Sequence, residues 1–110
     1  MMDKITAADL TLFGSFYEPF EDTDPDGQVI QDWILRFTCP VHIRHLRGGE
    51  EVMQARLASR NPVIVTVRTC NQARRVTSEW RVSVGGKLYD IKEDPRPDQA
   101  RRLLEMLVEG

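Results

Sequence analysis

The sequence has few of the residues on which metal and cofactor chemistry most often depends. It contains two cysteines and two histidines among 110 residues. Cys39 and Cys70 lack the paired spacing of a zinc site or a redox motif, so we expect free, partly buried thiols rather than a disulfide. His42 and His45 are placed on opposite faces of an extended segment by their separation, which argues against shared coordination. The sequence therefore predicts no metal site and no cofactor.

Long hydrophobic runs are also missing. No stretch of about 18 apolar residues is present, the length a membrane-spanning helix needs, and the first residues lead into no signal-like apolar segment. We therefore expect a protein of the cytoplasm without a membrane partner. No nucleophile–base pair is evident, and the glycine pairs 48–49 and 85–86 lack the strand-to-helix context of a phosphate-binding loop. We expect no enzymatic activity.

Length and composition fit one ordinary domain. The 110 residues are 41% hydrophobic and 29% charged, which suffices for one core. We expect a single domain over residues 1–110, with residues 1–9 as a flexible arm. The net charge of −2 hides an uneven distribution: carboxylates crowd into residues 18–26, and arginines are frequent over residues 36–81. This pattern fits a bipolar surface for contacts between subunits, and equally a solvated mixture of charges.

The clearest local prediction is a β-hairpin over residues 81–91. Two β-prone runs are joined there by Gly85 and Gly86, which can both adopt the positive φ that a two-residue primed turn requires. Tyr89 and Ile91 belong to the second of these runs. We expect this hairpin to fix the structure of the C-terminal part of the sheet.

Other segments predict more strands and one helix. We expect a strand over residues 10–20 that ends at Pro19, and a long extended segment over residues 28–46 in which Pro40 marks a bend or a break. A further core strand is expected over residues 63–68, a short α-helix over 50–59, and either a strand or a helix over 100–109. The predicted fold class is mainly β: a small antiparallel β-barrel or sandwich with one short α-helix.

Residues 21–27 have the composition of a turn. Asp22, Asp24 and Asp26 also have the spacing that opens a calcium-binding loop, but the twelfth position holds Trp33 instead of glutamate and no helical pattern flanks the segment. A surface turn is the favoured interpretation.

The arginine-rich middle of the chain leaves a second class of function open. Small β-barrels often present cations and aromatic rings to nucleic acid, so the alternative function is a small β-barrel nucleic-acid-binding module. The acidic total charge argues against it. Trp33, Trp80 and Tyr89 are either core residues or interface anchors, and core packing is favoured.

Four segments form a recognisable order along the chain. They are Val41-His-Ile-Arg-His-Leu-Arg-Gly-Gly-Glu-Glu51, Gln54-Ala55, Val63-x-Val-x-Val-Arg68 and Arg81-Val-x-Val-Gly-Gly-Lys-x-Tyr-Asp-Ile91. In this order the chain resembles the phage head–tail joining proteins, the head-closure or stopper proteins of long-tailed phages. The similarity covers roughly residues 10–110. Pro40 departs from the family, whose members often carry an aromatic residue there, and Cys70 and Trp80 have no counterpart in the pattern.

The resemblance implies a structural virion protein. Such a subunit assembles as a ring, commonly of twelve copies, beneath the portal and its adaptor. The implied partners are other copies of the chain, the portal or adaptor protein above, a tail or tail-completion protein below, and double-stranded DNA in the channel. The implied location is the virion neck, with the host cytoplasm during assembly.

The resemblance also implies a channel segment. In related stoppers, the part matching residues 42–59 projects into the channel and helps to close it. The candidate channel residues are Arg44, Arg47, Glu50, Glu51, Gln54 and Arg56. Gly48 and Gly49 provide a permissive hinge, and mixed charges can pair between neighbours when the channel is shut. The alternative is a surface loop and helix that cover a sheet edge.

Overall fold

The computed structural model describes residues 6–46, 61–98 and 101–110. These residues form seven β-strands and two short 3-10 turns. The strands are β1 (Leu12–Thr23), β2 (Val29–His45), β3 (Pro62–Arg68), β4 (Arg81–Val84), β5 (Lys87–Ile91), β6 (Arg96–Pro97) and β7 (Leu103–Glu109). The 3-10 turns are Ala7–Asp9 and Ala73–Arg75. The predicted helix over residues 50–59 lies outside the described residues.

The strands form one antiparallel sheet that closes on itself. Their order is β3-β2-β1-β4-β5-β7-β6, and β3 also pairs with β7, which completes the circuit. The short strand β6 lies beside β7, with Arg96 opposite Glu105. Where the strands pair around this circuit, closure leaves no open edge that would otherwise pair with other chains. The prediction of a mainly β, antiparallel fold is confirmed.

The core fills the space enclosed by this sheet. Phe16 and Phe37 stack with ring centroids 4.7 Å apart, and Trp80 packs at 6.4 Å from Phe37. The other fully enclosed apolar side chains are Val41, Val63, Val65, Val67, Ala73, Val82, Ile91, Met106 and Val108. Gly14 lies among them, because a Cβ there would meet Val41 Cγ1 at 2.8 Å. The core strand predicted over residues 63–68 is present as β3, in which Val63, Val65 and Val67 are fully buried.

β1 does not end at Pro19, as the sequence predicts. It continues to Thr23, with Pro19 opposite Trp33 of β2. β4 pairs with β1 only up to Tyr17, so among the described residues no strand lies beside Pro19 on that side of β1. A proline is tolerated at such an edge because no ladder hydrogen bond is required of it there. The predicted strand end at Pro19 is wrong because Pro19 is an edge residue within a longer strand.

β2 is a single strand that passes through Pro40. Its irregularity lies at Arg36, because Phe16 is opposite Phe37 while Tyr17 is opposite Leu35. Arg36 is thus the extra residue of a β-bulge, a feature that bends a strand and increases its twist. The bend expected near residues 39–40 is displaced to this position.

The C-terminal segment is a strand. β7 pairs with β3 along its length, from Leu103 opposite Arg68 to Glu109 opposite Pro62. Its buried residues Leu104, Met106 and Val108 alternate with less buried ones, which is the period of a strand. The alternative of a helix over residues 100–109 is therefore wrong.

Candidate functional site: an acidic hairpin and an arginine patch

β1 and β2 continue beyond the closed part of the sheet. β4 pairs with β1 only up to Tyr17, and β3 pairs with β2 only over residues 41–45. Residues 18–35 therefore form a two-stranded extension, which we call the acidic hairpin because it contains no lysine or arginine. Its carboxylates are Glu18, Glu21, Asp22, Asp24, Asp26 and Asp32. The molecule is correspondingly elongated, with extents of 56 × 35 × 23 Å.

The tip of the acidic hairpin is built by Asp24 and Gly27. Asp24 Oδ1 accepts hydrogen bonds from the backbone N–H groups of Asp26 (3.0 Å) and Gln28 (2.8 Å), and Gly27 has a φ of 86°. Asp24 thus satisfies the backbone of the turn, as aspartate often does. Within the described ranges, no group of three or more His, Cys, Asp or Glu side chains is arranged to hold a metal ion.

Two contacts tie the base of the hairpin to the closed sheet. Arg36, the bulge residue, pairs with Glu18 at 2.8 Å. The Arg81 guanidinium of β4 lies 4.1 Å from the centroid of the Trp33 ring and donates a hydrogen bond to Asp90 Oδ1 at 2.7 Å. A cation over an aromatic face is attracted by the ring quadrupole. These contacts hold the start of the hairpin and leave its outer part to solvent.

The hairpin also exposes apolar side chains. Val29, Ile30 and Leu35 are 68%, 46% and 53% exposed. Single exposed apolar residues are common, but here they lie on one short ribbon between carboxylates. The hairpin therefore presents both negative charge and apolar area.

A shallow, open depression lies where the hairpin leaves the sheet. It is lined by Pro19, Phe20, Glu21, Gln31 and Glu79. Its two charged lining residues are both carboxylates, so it extends the negative surface from the hairpin onto the loop that precedes β4. Such a lining repels phosphate groups and favours a cationic partner.

A second charged surface consists of five exposed arginines, which we call the arginine patch: Arg68, Arg74, Arg75, Arg101 and Arg102. Three chain segments contribute to it. Arg68 ends β3 opposite Leu103, and the Thr69 N–H donates to the Arg102 carbonyl at 2.9 Å. The Arg74 N–H donates to the Cys70 carbonyl at 3.0 Å, which starts the 3-10 turn. The strand pairing of β3 and β7 thus collects these arginines at one end of the sheet.

This end of the sheet is the one from which the acidic hairpin extends. β3 runs antiparallel to β2, with Val67 opposite Val41 and Val63 opposite His45. The C-terminal end of β3 therefore lies beside the part of β2 that leads into the hairpin. No ion pair joins the arginine patch to the acidic hairpin among the residues that the structure describes.

The candidate channel residues fall mostly outside the described part of the chain. Arg44 is described: it is exposed near the end of β2, opposite Ile64 of β3. The others are Arg47, Glu50, Glu51, Gln54 and Arg56, which lie in the segment 47–60. Their role in a channel stays a prediction.

The residues singled out in the C-terminal hairpin lie in the β4–β5 turn and in β5. Gly85 and Gly86 have φ values of 59° and 82°, and they form the two-residue turn between Val84 and Lys87. Tyr89 and Ile91 are buried in the core. Tyr89 and Ile91 therefore present little surface to a partner, whereas the turn residues Gly85 and Gly86 are exposed.

Cysteine and histidine side chains are dispersed. His42 is half-buried and His45 is exposed. Burial raises the pKa of the Cys39 thiol to about 11, with a smaller contribution from nearby Cys70, so Cys39 is a weak nucleophile at neutral pH. Trp80 is buried, as the core interpretation predicts, whereas Trp33 is half-buried beneath Arg81.

Sequence reasoning missed the arginine patch. The sequence signal was available in two Arg-Arg pairs, at residues 74–75 and 101–102. Their meeting depends on the pairing of β3 with β7, strands more than 30 residues apart. The helix alternative for residues 100–109 concealed that pairing.

The fold and its charged surfaces define a small closed antiparallel β protein whose candidate functional groups lie on the surface. The family model described as phage head completion protein matches residues 5–109. This chain belongs to the phage head completion protein family. It therefore has a structural role in the phage head and a virion-associated location, in contact with other phage head and tail proteins. The predicted resemblance to phage head proteins is confirmed.

Two solved structures have a similar fold. Protein SF1141 from Shigella flexneri 2a matches with a TM-score of 0.70 and 18% identity, over 94% of this chain and 95% of that protein. A chain from the virion of a native gene transfer agent particle matches with a TM-score of 0.62 and 20% identity, over 89% and 93% of the two chains. No curated protein matches the sequence. Among the described residues, no helix is long and apolar enough to cross a membrane.

Proposed function

We propose that this chain is a head-closure subunit. Several copies assemble as a ring below the portal or adaptor protein, retain packaged double-stranded DNA and provide the docking surface for the tail or a tail-completion protein. The role is structural and involves no catalysis. The subunit acts in the virion neck, after assembly in the host cytoplasm.

The family match over residues 5–109 carries this proposal. The structure supports it in one respect: the closed sheet buries most of its apolar residues in one core, and its charged groups are on surfaces available to other proteins. A subunit that joins head to tail needs a rigid body and separate contact surfaces. This chain has both.

In the proposed ring, residues 42–59 face the channel. Arg44, near the end of β2, is the first candidate, and the remaining candidates are Arg47, Glu50, Glu51, Gln54 and Arg56. Side chains of both signs would pair between neighbouring copies when the channel is closed and would be hydrated when it is open. Substitution of these six residues by serine should therefore allow DNA to leak from heads in which the ring still forms.

The test is completion of purified heads. Particles assembled without this chain should package DNA, lose it to an added nuclease, and carry no tails. Adding the purified chain should restore both nuclease protection and tail attachment. A variant with a disrupted core, Phe16→Ala, provides the negative control. If the folded chain restores neither property, the proposed function is wrong.

The arginine patch supports the alternative of a nucleic-acid-binding module. Five arginines that contact phosphates would release counterions, so the affinity for free DNA should fall steeply as salt rises. Two results together would favour this alternative. The DNA affinity of the unaltered chain should fall with salt with a slope of several ions that is lost in Arg68→Glu/Arg75→Glu, and the chain should have no effect on the completion of heads. Head completion without measurable affinity for free DNA would favour the closure subunit.

A further inference from the structure

The acidic hairpin has backbone edges that its own fold leaves uncovered. Beyond Tyr17, β1 has β2 on one side and, within the described residues, no strand on the other. The same holds for β2 before Val41. A two-stranded ribbon is only marginally stable in water, and uncovered edges pair readily with another chain. The hairpin thus has the surface of an element that is covered in an assembly.

The chemistry of the ribbon indicates what covers it. Its exposed apolar residues, Val29, Ile30 and Leu35, favour a protein surface over solvent. Its six carboxylates repel nucleic acid and favour a cationic partner. Of the carboxylates of the acidic hairpin, Glu18 already forms an ion pair with Arg36. The partner should therefore be a protein that presents several cations close together.

The arginine patch of the same chain has this property. Its five arginines are exposed and come together from three segments. Arg74 donates a hydrogen bond to Asn71 at 3.3 Å, and the patch makes no ion pair among the described residues. One surface with six carboxylates and another with five guanidinium groups are complementary in charge and similar in number.

The geometry favours contact between copies related by rotation. The acidic hairpin and the arginine patch lie at the same end of the sheet, so rotation can bring this end of one copy beside the same end of the next. Residues 18–23 extend about 20 Å beyond Tyr17 at about 3.3 Å per residue, which is comparable with the 23 and 35 Å widths of the molecule. The hairpin is therefore long enough to overlie a neighbour.

We propose that the acidic hairpin of one copy docks on the arginine patch of the next copy. The two surfaces are different, so the contact is heterologous and repeats from copy to copy until rotation closes a ring. This inference rests on the proposed function, to which it adds the subunit contact. The occupant of the hairpin is a second copy of this chain.

The test uses charge reversal in the full-length chain. Glu21→Lys/Asp26→Lys reverses two hairpin carboxylates that make no side-chain hydrogen bond in the described structure. Arg68→Glu/Arg75→Glu reverses two arginines of the patch that likewise make no side-chain hydrogen bond in the described structure. Lys87→Glu/Lys92→Glu reverses two exposed cations outside the patch and is the matched control.

Self-association is measured by amide chemical shifts as the protein concentration rises. In the unaltered chain, signals of the hairpin and the patch should shift together, and high salt should suppress the shifts. Each charge-reversed variant alone should lose about tenfold or more in self-affinity, because like charges then face each other. An equal mixture of the two variants, or all four substitutions in one chain, should restore it. The control should behave like the unaltered chain.

Three outcomes would overturn the inference. The first is the absence of concentration-dependent shifts in hairpin and patch at the highest soluble concentration. The second is an unchanged affinity in the charge-reversed variants. The third is that the amide signals of the patch shift when DNA is added but show no contact with the hairpin of another copy. If charge-reversed chains still complete heads, the inference fails while the proposed function stands; if the contact is present but the unaltered chain does not complete heads, the proposed function fails.

Discussion

The closed sheet and the acidic hairpin share the strands β1 and β2, but the two parts of these strands have opposite environments. In the closed sheet β1 has β2 and β4 as neighbours, and Phe16 is fully buried. A few residues further on, β1 has β2 as its only neighbouring strand among the described residues, and Val29 and Ile30, opposite Thr23 and Asp22, are 68% and 46% exposed. The difference indicates that pairing with a third strand, here β4, decides more than the residue type which apolar side chains are buried and contribute to stability. The hairpin retains apolar residues without that contribution, which is typical of a contact surface.

The boundary between these regions lies at the bulge of Arg36. The last pairing of β4 with β1, Arg81 opposite Tyr17, occurs at the same level as the register shift after Phe16. A bulge bends and twists the strand that contains it. The hairpin can therefore leave the closed sheet at an angle without disturbing the pairs on either side.

The largest predicted difference concerns matched truncations on the two sides of this boundary. Phe16→Ala removes a fully buried ring stacked on Phe37, and we expect it to lower the free energy of unfolding by about 3–5 kcal/mol. Leu35→Ala on the hairpin should change it by about 0.5 kcal/mol or less. Urea denaturation measures both, and Phe16→Leu provides a milder variant if the alanine variant does not fold. Equal losses at the two sites would show that the hairpin belongs to the cooperative core.

Gly14→Ala adds atoms to the closed sheet instead of removing them. The new Cβ would lie 2.8 Å from Val41 Cγ1 and 3.3 Å from Val82 Cγ2, so we expect a loss of about 1–3 kcal/mol from overpacking. Val41→Ala should relieve the clash, and the double variant should lose less than the sum of the single losses. If the losses of the two single variants add up in the double variant, the new Cβ is accommodated by movement of the backbone and not by the space that Val41→Ala provides.

Much of the closed sheet could be predicted because its signals are local. Gly85 and Gly86 supply the conformations of a two-residue turn, and the alternating valines of β3 indicate a buried strand without knowledge of its neighbours. The same local patterns gave the antiparallel, mainly β class. Pro19 does not end β1 as the sequence predicts, because the effect of a proline depends on whether an adjacent strand needs its N–H.

The candidate site could not be predicted in the same way. The acidic residues of the hairpin are visible in the sequence, but their separation from the sheet follows from where β3 and β4 stop pairing. The arginine patch depends on contacts between distant segments, such as Thr69 with Arg102. A charge pattern shows which groups exist, whereas topology decides which of them form one surface.

A smaller effect should appear in the pH dependence of the closed sheet. Burial, with a lesser contribution from Cys70, raises the pKa of Cys39 from 9.0 to about 11. A raised pKa means that folding favours the neutral thiol, so this contribution to stability is complete below pH 9.0 and is lost as pH rises through about 11. The unaltered chain should therefore lose more stability across this range than Cys39→Ala. Identical pH profiles from urea denaturation at each pH would contradict this assignment.

The smallest expected effect is at the boundary itself, in the pair of Glu18 and Arg36. Their side chains are 34% and 48% exposed, and ion pairs of this kind contribute about 0.5 kcal/mol or less. A double-mutant cycle of Glu18→Gln and Arg36→Gln should give a coupling energy of that size, reduced further by high salt. A coupling energy above about 1 kcal/mol would show that the ion pair fixes the hairpin to the sheet. A value near zero leaves the bulge to set the direction of the hairpin, because the backbone geometry at Arg36 persists when the charges are removed.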